Sequence, residues 1–433
     1  MLGQWMTRLQ RKPIYAWLVW GLGASFFFAE YFARVAPSVM VSDLMQSYAV
    51  SATGLGVLSS CFYYSYLVMQ LPVGALTDRF GPRRLLSFSA VVCALGCVGF
   101  ACAHDLWLAS FSRFLTGFGA SFAFVGTLKI ATQWFPSRRL GMLAGLTQAL
   151  GMLGAAVGEA PVAVAVENMG WRHTLLLMGG VIFLLAILIF LAVRDLFSAR
   201  SQEADSVTES KERPSTLWQD LLCVLRNRHS WVNALYAGFL FMPTTAFGEL
   251  WGTTYLAHTH FMSTTRAATV VSSMFIGFAC GGALVGHLSD RWQKRRPVLL
   301  LSALASLLSF SVLLYVGSLD ILGLSVAAAI YGFSNTGLGV SYALAGELNP
   351  AHCAGVSMAF TNLMSVIIGT LFQPLIGWFL DLQWQGQWYH HVHSYSPQAY
   401  KWAVSAMPLS LAVAAVLACF CFESGAKAFA ARR

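Results

Sequence analysis

Apolar runs of about twenty residues follow one another through this chain with only short polar turns between them, and few folds can accommodate that pattern. A helix of that length crosses a bilayer, and backbone in lipid must satisfy its own hydrogen bonds, which leaves helices or closed barrels as spanning structures. Runs near 16–40, 52–73, 84–103, 106–130, 140–166 and 173–193 precede a polar stretch at 194–228. Runs near 229–257, 266–288, 297–317, 320–345, 353–380 and 400–421 follow it. Twelve transmembrane helices, six on each side, are expected. Composition agrees: 57% of the 433 residues are hydrophobic and 10% charged, against about 25% charged in a soluble domain. The fold class expected is all-α integral membrane, with units at 1–197 and 229–433 joined by a polar cytoplasmic linker at 198–228.

The two halves repeat each other. Gly74–Arg84 reads Gly-Ala-Leu-Thr-Asp-Arg-Phe-Gly-Pro-Arg-Arg, and Gly286–Arg296 reads Gly-His-Leu-Ser-Asp-Arg-Trp-Gln-Lys-Arg-Arg. Asp78 and Arg79 therefore correspond to Asp290 and Arg291. A second match sets Gln133-Trp-Phe-Pro136, Gly141 and Gln148 against Glu347-Leu-Asn-Pro350, Gly355 and Asn362, with equal intervals from each proline. Chance similarity between apolar helices would not keep register across three spans.

Basic residues sort by side. With the N-terminus inside, one face collects Arg8, Arg11 and Lys12, both duplicated turns, Arg138 and Arg139, the linker cations and the C-terminal Lys427, Arg432 and Arg433. The other face receives only Arg172, Arg266 and Lys401. This asymmetry places both termini in the cytoplasm and accounts for the net charge of +9 without a nucleic-acid partner. The opening Met1–Pro13 segment runs into span 1 without a small-residue cleavage site and reads as retained. The nine cysteines are scattered, most of them inside apolar segments, with no paired metal-ligand spacing, and read as small hydrophobes.

Twelve spans in two repeats, the Gly-x-x-x-Asp-Arg-x-Gly-x-Arg-Arg turn after span 2, its copy after span 8 and Arg113 followed by Gly117 in span 4 resemble the major facilitator superfamily. The copy has Gln293 in place of the central glycine. The resemblance covers almost the whole chain. It implies two pseudo-symmetric six-helix bundles rocking about a central site, with Asp78 latched against span 11. Tyr31-Phe-Ala-Arg34-Val is similar to the Tyr-x-Asp-Arg-Val stretch of the organic anion:cation symporters, which implies that Arg34 binds a substrate carboxylate. Ala33 and Ala120 stand where those carriers have acidic residues, so their proton-coupling groups do not carry over. Gly151, Gly154, Gly158 and Pro161 in span 5 partly resemble the pattern of the superfamily's antiporters, which keeps export open.

Charge inside a span is costly and ordinarily faces a partner or a water-filled cavity. Glu30, Arg34, Arg113, Glu159 and Glu249 fall in spans 1, 4, 5 and 7. At about 1.5 Å per residue, all but Glu30 lie roughly 10–12 Å below the external face, with Glu30 a turn deeper. Glu30 and Arg34 are spaced to pair on one helix face. Three carboxylates facing two arginines would leave one carboxylate free to carry a proton. Arginine suits carboxylate recognition because its planar fork binds both oxygens and stays charged when desolvated. Tyr63, Tyr64, Gln148, Asn335 and Asn362 are candidate ligands, because polar groups in spans need partners. Tyr31, Phe62, Tyr66, Trp251, Tyr342 and Gln373 border the layer and read mainly as packing.

Lys129 and Glu347, near the inner ends of spans 4 and 10, are expected to form a gating ion pair between the halves. Asp78, Arg79, Asp290 and Arg291 are expected to act on conformation rather than on substrate, since they sit in cytoplasmic turns where a carboxylate can meet a helix start. His390, His391 and His393 have only Asp381 as an acidic companion and read as a solvated aromatic loop beside Trp384 and Trp388. No metal or cofactor is expected.

A membrane enzyme is disfavoured because the chain has no nucleophile elbow, phosphate loop or His-Glu metal motif. The expected function is proton-coupled uptake of a small organic carboxylate across a bacterial inner membrane by a monomeric carrier. The alternative is a proton-antiport exporter of a larger amphipathic compound, drug or siderophore. A passive channel or a receptor derived from a transporter is the other class that a shared fold would allow.

Overall fold

The computed structural model describes residues 13–70, 72–194, 217–292, 294–389 and 392–422. Span 1 (Pro13–Val35) ends in the 3-10 turn Ala36–Val39, and a short helix, Val41–Tyr48, leads to span 2 (Ala52–Met69), which continues as Pro72–Phe80. Span 3 is Pro82–Cys102, and span 4 is Leu106–Ala120 followed by Ala123–Trp134. Spans 5 and 6 form one helical run, Leu140–Ala192, broken only at Gly170, whose φ of 78° is readily available to glycine. In the second half come span 7 (Arg228–Pro243, Thr244–Trp251, Gly252–Thr259), span 8 (Thr264–Trp292) and span 9 (Arg296–Tyr315). Span 10 (Ile321–Asn335, Gly337–Glu347), span 11 (Ala354–Leu382) and span 12 (Pro397–Val404, Ala406–Phe420) complete it.

The outer surface is apolar: Leu177, Phe183, Leu184, Leu191, Leu301, Leu308 and Leu322 are all exposed, while Glu30, Arg34, Arg113, Glu159 and Glu249 are buried. That inversion of a soluble protein's pattern fits a lipid-facing ring around a polar interior. The fold is the expected pair of six-helix bundles. Each bundle repeats a close helix crossing, since a Cβ on Gly117 of span 4 would collide with the Phe62 carbonyl of span 2, and one on Gly332 of span 10 with the Met274 carbonyl of span 8. Spans 4 and 10 also break at nearly equivalent points, after Ala120 and Asn335.

The halves meet along two seams, span 2 with span 11 and span 5 with span 8. Ser60 Oγ donates to the Thr370 carbonyl at 3.1 Å. Across the second seam, Ser272 Oγ donates to the Ala156 carbonyl at 2.7 Å and accepts from the Ala160 N–H at 3.2 Å. At the end carrying Ala52, the Tyr395 hydroxyl accepts from the Ala52 N–H, and Asp381 accepts from Thr53.

At the opposite end two ion pairs among the described residues each lie inside one half. Lys129 Nζ lies 2.6 Å from Asp78 Oδ1, and Arg295 Nη2 lies 2.9 Å from Glu347 Oε1. The expected Lys129–Glu347 pair is therefore not formed here, and Asp78 meets span 4 rather than span 11. Arg79 and Arg291 are exposed, and the Asp290 side chain lies outside the described residues.

Three local features differ from the sequence reading. Residues Leu217–Arg226, assigned to the linker, form a helix packed on span 11 and on the turn before it. Span 7 is interrupted by a π-helical stretch, Thr244–Trp251. In the loop before span 12, Trp388–Tyr389 pairs antiparallel with Val392–His393, while His390 and His391 lie outside the described residues.

Candidate functional site

Span 1 positions the central charges. Its polar positions Glu30 and Arg34 are one turn apart, and Arg34 Nη2 donates to Glu30 Oε1 at 2.9 Å and to Oε2 at 3.1 Å. The guanidinium rests among aromatic rings, with Cζ 4.1 Å from the Tyr31 ring centre, 4.9 Å from Tyr66 and 5.2 Å from Phe62. Such rings attract a cation most strongly when it is desolvated. Arg34 Nε is buried and has no hydrogen-bond partner among the described residues.

Arg113 does a different job. Its Nη1 donates to the Ala33 carbonyl at 3.0 Å and its Nη2 to the Arg34 carbonyl at 3.3 Å, so it fastens span 4 to the segment of span 1 that carries Arg34. Phe62 separates the two cations, with Arg113 Cζ 5.1 Å from its ring centre.

The remaining carboxylates divide. Glu249 lies in the π-helical stretch of span 7, within electrostatic reach of Arg34 and Glu30. Its Oε2 is buried with no hydrogen-bond partner among the described residues. π-Helical turns occur frequently at functional sites. This one also exposes a backbone carbonyl sideways: Gln373 Nε2 of span 11 donates to the Thr245 carbonyl at 3.0 Å, and Trp251 Nε1 to the Gln373 carbonyl at 2.9 Å. Glu159 leaves the layer. Its Oε1 accepts from Ser38 Oγ, and its Oε2 accepts from Thr253 Oγ1 at 2.8 Å, so it ties span 5 to the end of span 1 and, across the halves, to span 7.

Of the polar candidates, Asn362 stands nearest the seam. Its Nδ2 donates to Gln70 Oε1 of span 2 at 3.2 Å, and its Oδ1 accepts from the Tyr342 hydroxyl at 2.9 Å. All three side chains are half-buried. Tyr63 is buried, and its hydroxyl has no hydrogen-bond partner among the described residues. Gln148 is half-buried in span 5. Asn335 is saturated inside the second half, donating to the Leu240 carbonyl at 2.7 Å and accepting from Thr244 Oγ1 at 3.3 Å. Tyr64 is 43% exposed.

Gln70 was missed in the sequence reading although the signal was present, since a lone amide near the end of an apolar run requires a partner. Tyr66 and Tyr342 were read as packing, and what assigns them to the site is their contact with Arg34 and Asn362.

Two helical bundles enclosing a charged site contributed by both halves define a multi-span membrane carrier of solutes. The chain belongs to the major facilitator superfamily, whose model matches residues 22–374; it is a transporter and not an enzyme. It is 24% identical over 380 residues to the "Probable galactarate/D-glucarate transporter GudP" of Bacillus subtilis, covering 81% of this chain and 83% of that protein. It is 25% identical over 396 residues to the phosphoglycerate transporter protein of Salmonella typhimurium, covering 84% and 83%. The structure of a bacterial homolog of the human lysosomal transporter Spinster, inward-facing and occupied, superposes with a TM-score of 0.76 at 16% identity, covering 95% of this chain and 97% of that one. The fold is thus shared well beyond the range of sequence similarity.

Proposed function

We propose that the protein is a proton-coupled importer of small organic anions in a bacterial inner membrane, with both termini cytoplasmic, and that a sugar diacid of the galactarate or D-glucarate kind is its substrate class. The observation that carries this reading is Arg34, a desolvated cation whose fork is occupied on one side by Glu30 and whose Nε has no partner among the described residues. A substrate carboxylate offers the two oxygens that Glu30 now supplies. Protonation of Glu30 removes its charge and releases the guanidinium, so a proton and an anion enter the site together. Loss of that proton toward the other side restores the Glu30–Arg34 pair and expels the anion.

Glu249 places a second carboxylate, from the opposite half, within electrostatic reach of the same cation, which ties the charge state of the site to the approach of the halves. Tyr66, Gln70, Tyr342 and Asn362 line the seam beside Arg34 and suit the hydroxyls of a sugar acid. Arg113, Glu159 and Asn335 then serve as structural and closing elements rather than ligands. In the orientation set by the basic turns, the joined end carrying Asp381 is external and the structure is closed to the outside.

The glycines that favoured export have a packing explanation. A Cβ on Gly154 would collide with the Phe28 carbonyl, and one on Gly151 would lie 2.5 Å from a Phe27 ring carbon, so they allow span 5 to lie on span 1.

A thermal-shift screen of the purified protein against organic acids tests the substrate class, because a ligand that binds the folded state raises its apparent stability. D-glucarate or a related diacid should stabilise the wild type and not the Arg34→Ala variant. Stabilisation by hydrophobic cations alone would refute the proposal.

A further inference from the structure

The fold brings together two cysteines that lie far apart in sequence. Cys223, on the helix Leu217–Arg226, meets His352 and Cys353 in the turn between spans 10 and 11, and the three ligand atoms lie within 4.8 Å of one another. Asp220, one turn before Cys223 on the same helix, completes the group: its Oδ1 is 3.6 Å from Cys353 Sγ and 3.9 Å from His352 Nε2. We infer that Asp220, Cys223, His352 and Cys353 form a binding site for a thiophilic divalent cation of the Zn2+ type.

Zinc bonds of about 2.0–2.3 Å to nitrogen, oxygen and sulfur place tetrahedral ligands about 3.3–3.8 Å apart. The two distances to Asp220 already approach that range, and the whole cluster needs only a small contraction. Two sulfurs, one imidazole and one carboxylate are a donor set suited to zinc. Burial is graded as a metal site needs: Cys353 and Asp220 are buried, Cys223 is half-buried and His352 is exposed, which leaves an entry from solvent.

Cys353 donates its thiol proton to Asp220. Binding of one cation would replace that hydrogen bond and release one proton from each cysteine, two per ion, as two thiolates form. A disulfide between the cysteines would need an oxidant and would leave His352 and Asp220 without a part. The bound cation would fasten the helix that precedes span 7 to the turn that precedes span 11, at the point where the connection between the halves rejoins the second bundle.

The purified full-length transporter, stripped with a chelator and reduced, is titrated with Co2+ as a spectroscopic stand-in and then with Zn2+. The expected result is one Co2+ per chain with thiolate-to-metal charge-transfer absorption, bleached by Zn2+. Cys223→Ser with Cys353→Ser should abolish that absorption and weaken Zn2+ binding by more than the 10- to 100-fold (about) typical of outer-shell changes. His352→Ala should weaken it without removing the thiolate band. His393→Ala, at the other end of the molecule, should leave binding unchanged. The metal-free double variant should melt at the temperature of metal-free wild type, which separates lost ligands from lost folding. Absence of a thiolate band, its survival in the double variant, or loss of binding in His393→Ala would each overturn the assignment.

Discussion

Asp381, at the end of span 11, accepts a hydrogen bond from the backbone N–H of Thr53, in the first turn of span 2, at 3.0 Å. The Thr53 hydroxyl donates to the same oxygen, and the Tyr395 hydroxyl donates to the other. A carboxylate from one half therefore caps a helix N-terminus of the other, where exposed N–H groups and the helix dipole favour negative charge. This contact can exist only while the proposed external end is closed.

Asp381→Ala should accordingly favour the outward-open state. Capping contacts of this kind are worth about 0.5–2 kcal/mol, so the closed population should fall about 2- to 30-fold relative to the open one. Distance distributions between spin labels at the outer ends of spans 2 and 11 check this, and they should shift to longer separations.

Gly56 should be similarly sensitive for a steric reason. A Cβ there would lie 2.5 Å from Pro374 Cα and 2.7 Å from the Gln373 carbonyl oxygen, both in the opposite half. Gly56→Val should hold the outer seam apart and stop the cycle while leaving each bundle folded. The expected signature is lost transport with outer label distances longer than in wild type.

Arg34 and Arg113 should separate cleanly on mutation. Arg113→Ala deletes two charge-assisted hydrogen bonds to the Ala33 and Arg34 carbonyls, interactions worth about 1.5–3 kcal/mol each, so melting temperature and expression should fall. Arg34→Ala leaves Glu30 buried without its cation, so the ligand-free melting temperature should also fall, and in addition the stabilisation given by substrate should be lost. Thermal denaturation with and without substrate distinguishes the two.

Glu159 should behave as a closing element. Glu159→Ala would leave the Ser38 and Thr253 hydroxyls without their shared acceptor, at a cost of about 1–3 kcal/mol. Glu159→Gln keeps an acceptor and should preserve proton-driven accumulation, whereas Glu30→Gln should abolish it. Uptake by the two Gln variants under an imposed pH gradient makes the comparison.

Much of this architecture could be read from the chain because the constraints were local. Twenty-residue apolar runs set the spans, the copy of the Gly74–Arg84 turn set the two-fold repeat, and the four-residue interval set the Glu30–Arg34 pair. Counting residues from the membrane face put Glu159 in one layer with the arginines but could not say which way it pointed. The bond from Thr253 depends on how span 7 rotates past its π-helical stretch, and the sequence carries only Pro243 as a hint of irregularity there. Lys129 and Glu347 were paired because both lie at inner helix ends, yet each has a partner within its own bundle, in Asp78 and Arg295, that depends on tertiary packing. Cys223 and Cys353 looked unrelated because no short motif connects them.

The central claim is that Arg34 exchanges Glu30 for a substrate carboxylate in a proton-driven cycle. Its most direct test is accumulation of labelled D-glucarate, or of whichever diacid the binding screen selects, by proteoliposomes under an inside-alkaline pH gradient. Uptake above equilibration is expected, collapsing with the gradient and absent in Arg34→Ala. Glu30→Gln should still exchange substrate across the membrane but no longer concentrate it. Accumulation by Arg34→Ala at the wild-type level, or uptake indifferent to the gradient, would contradict the account.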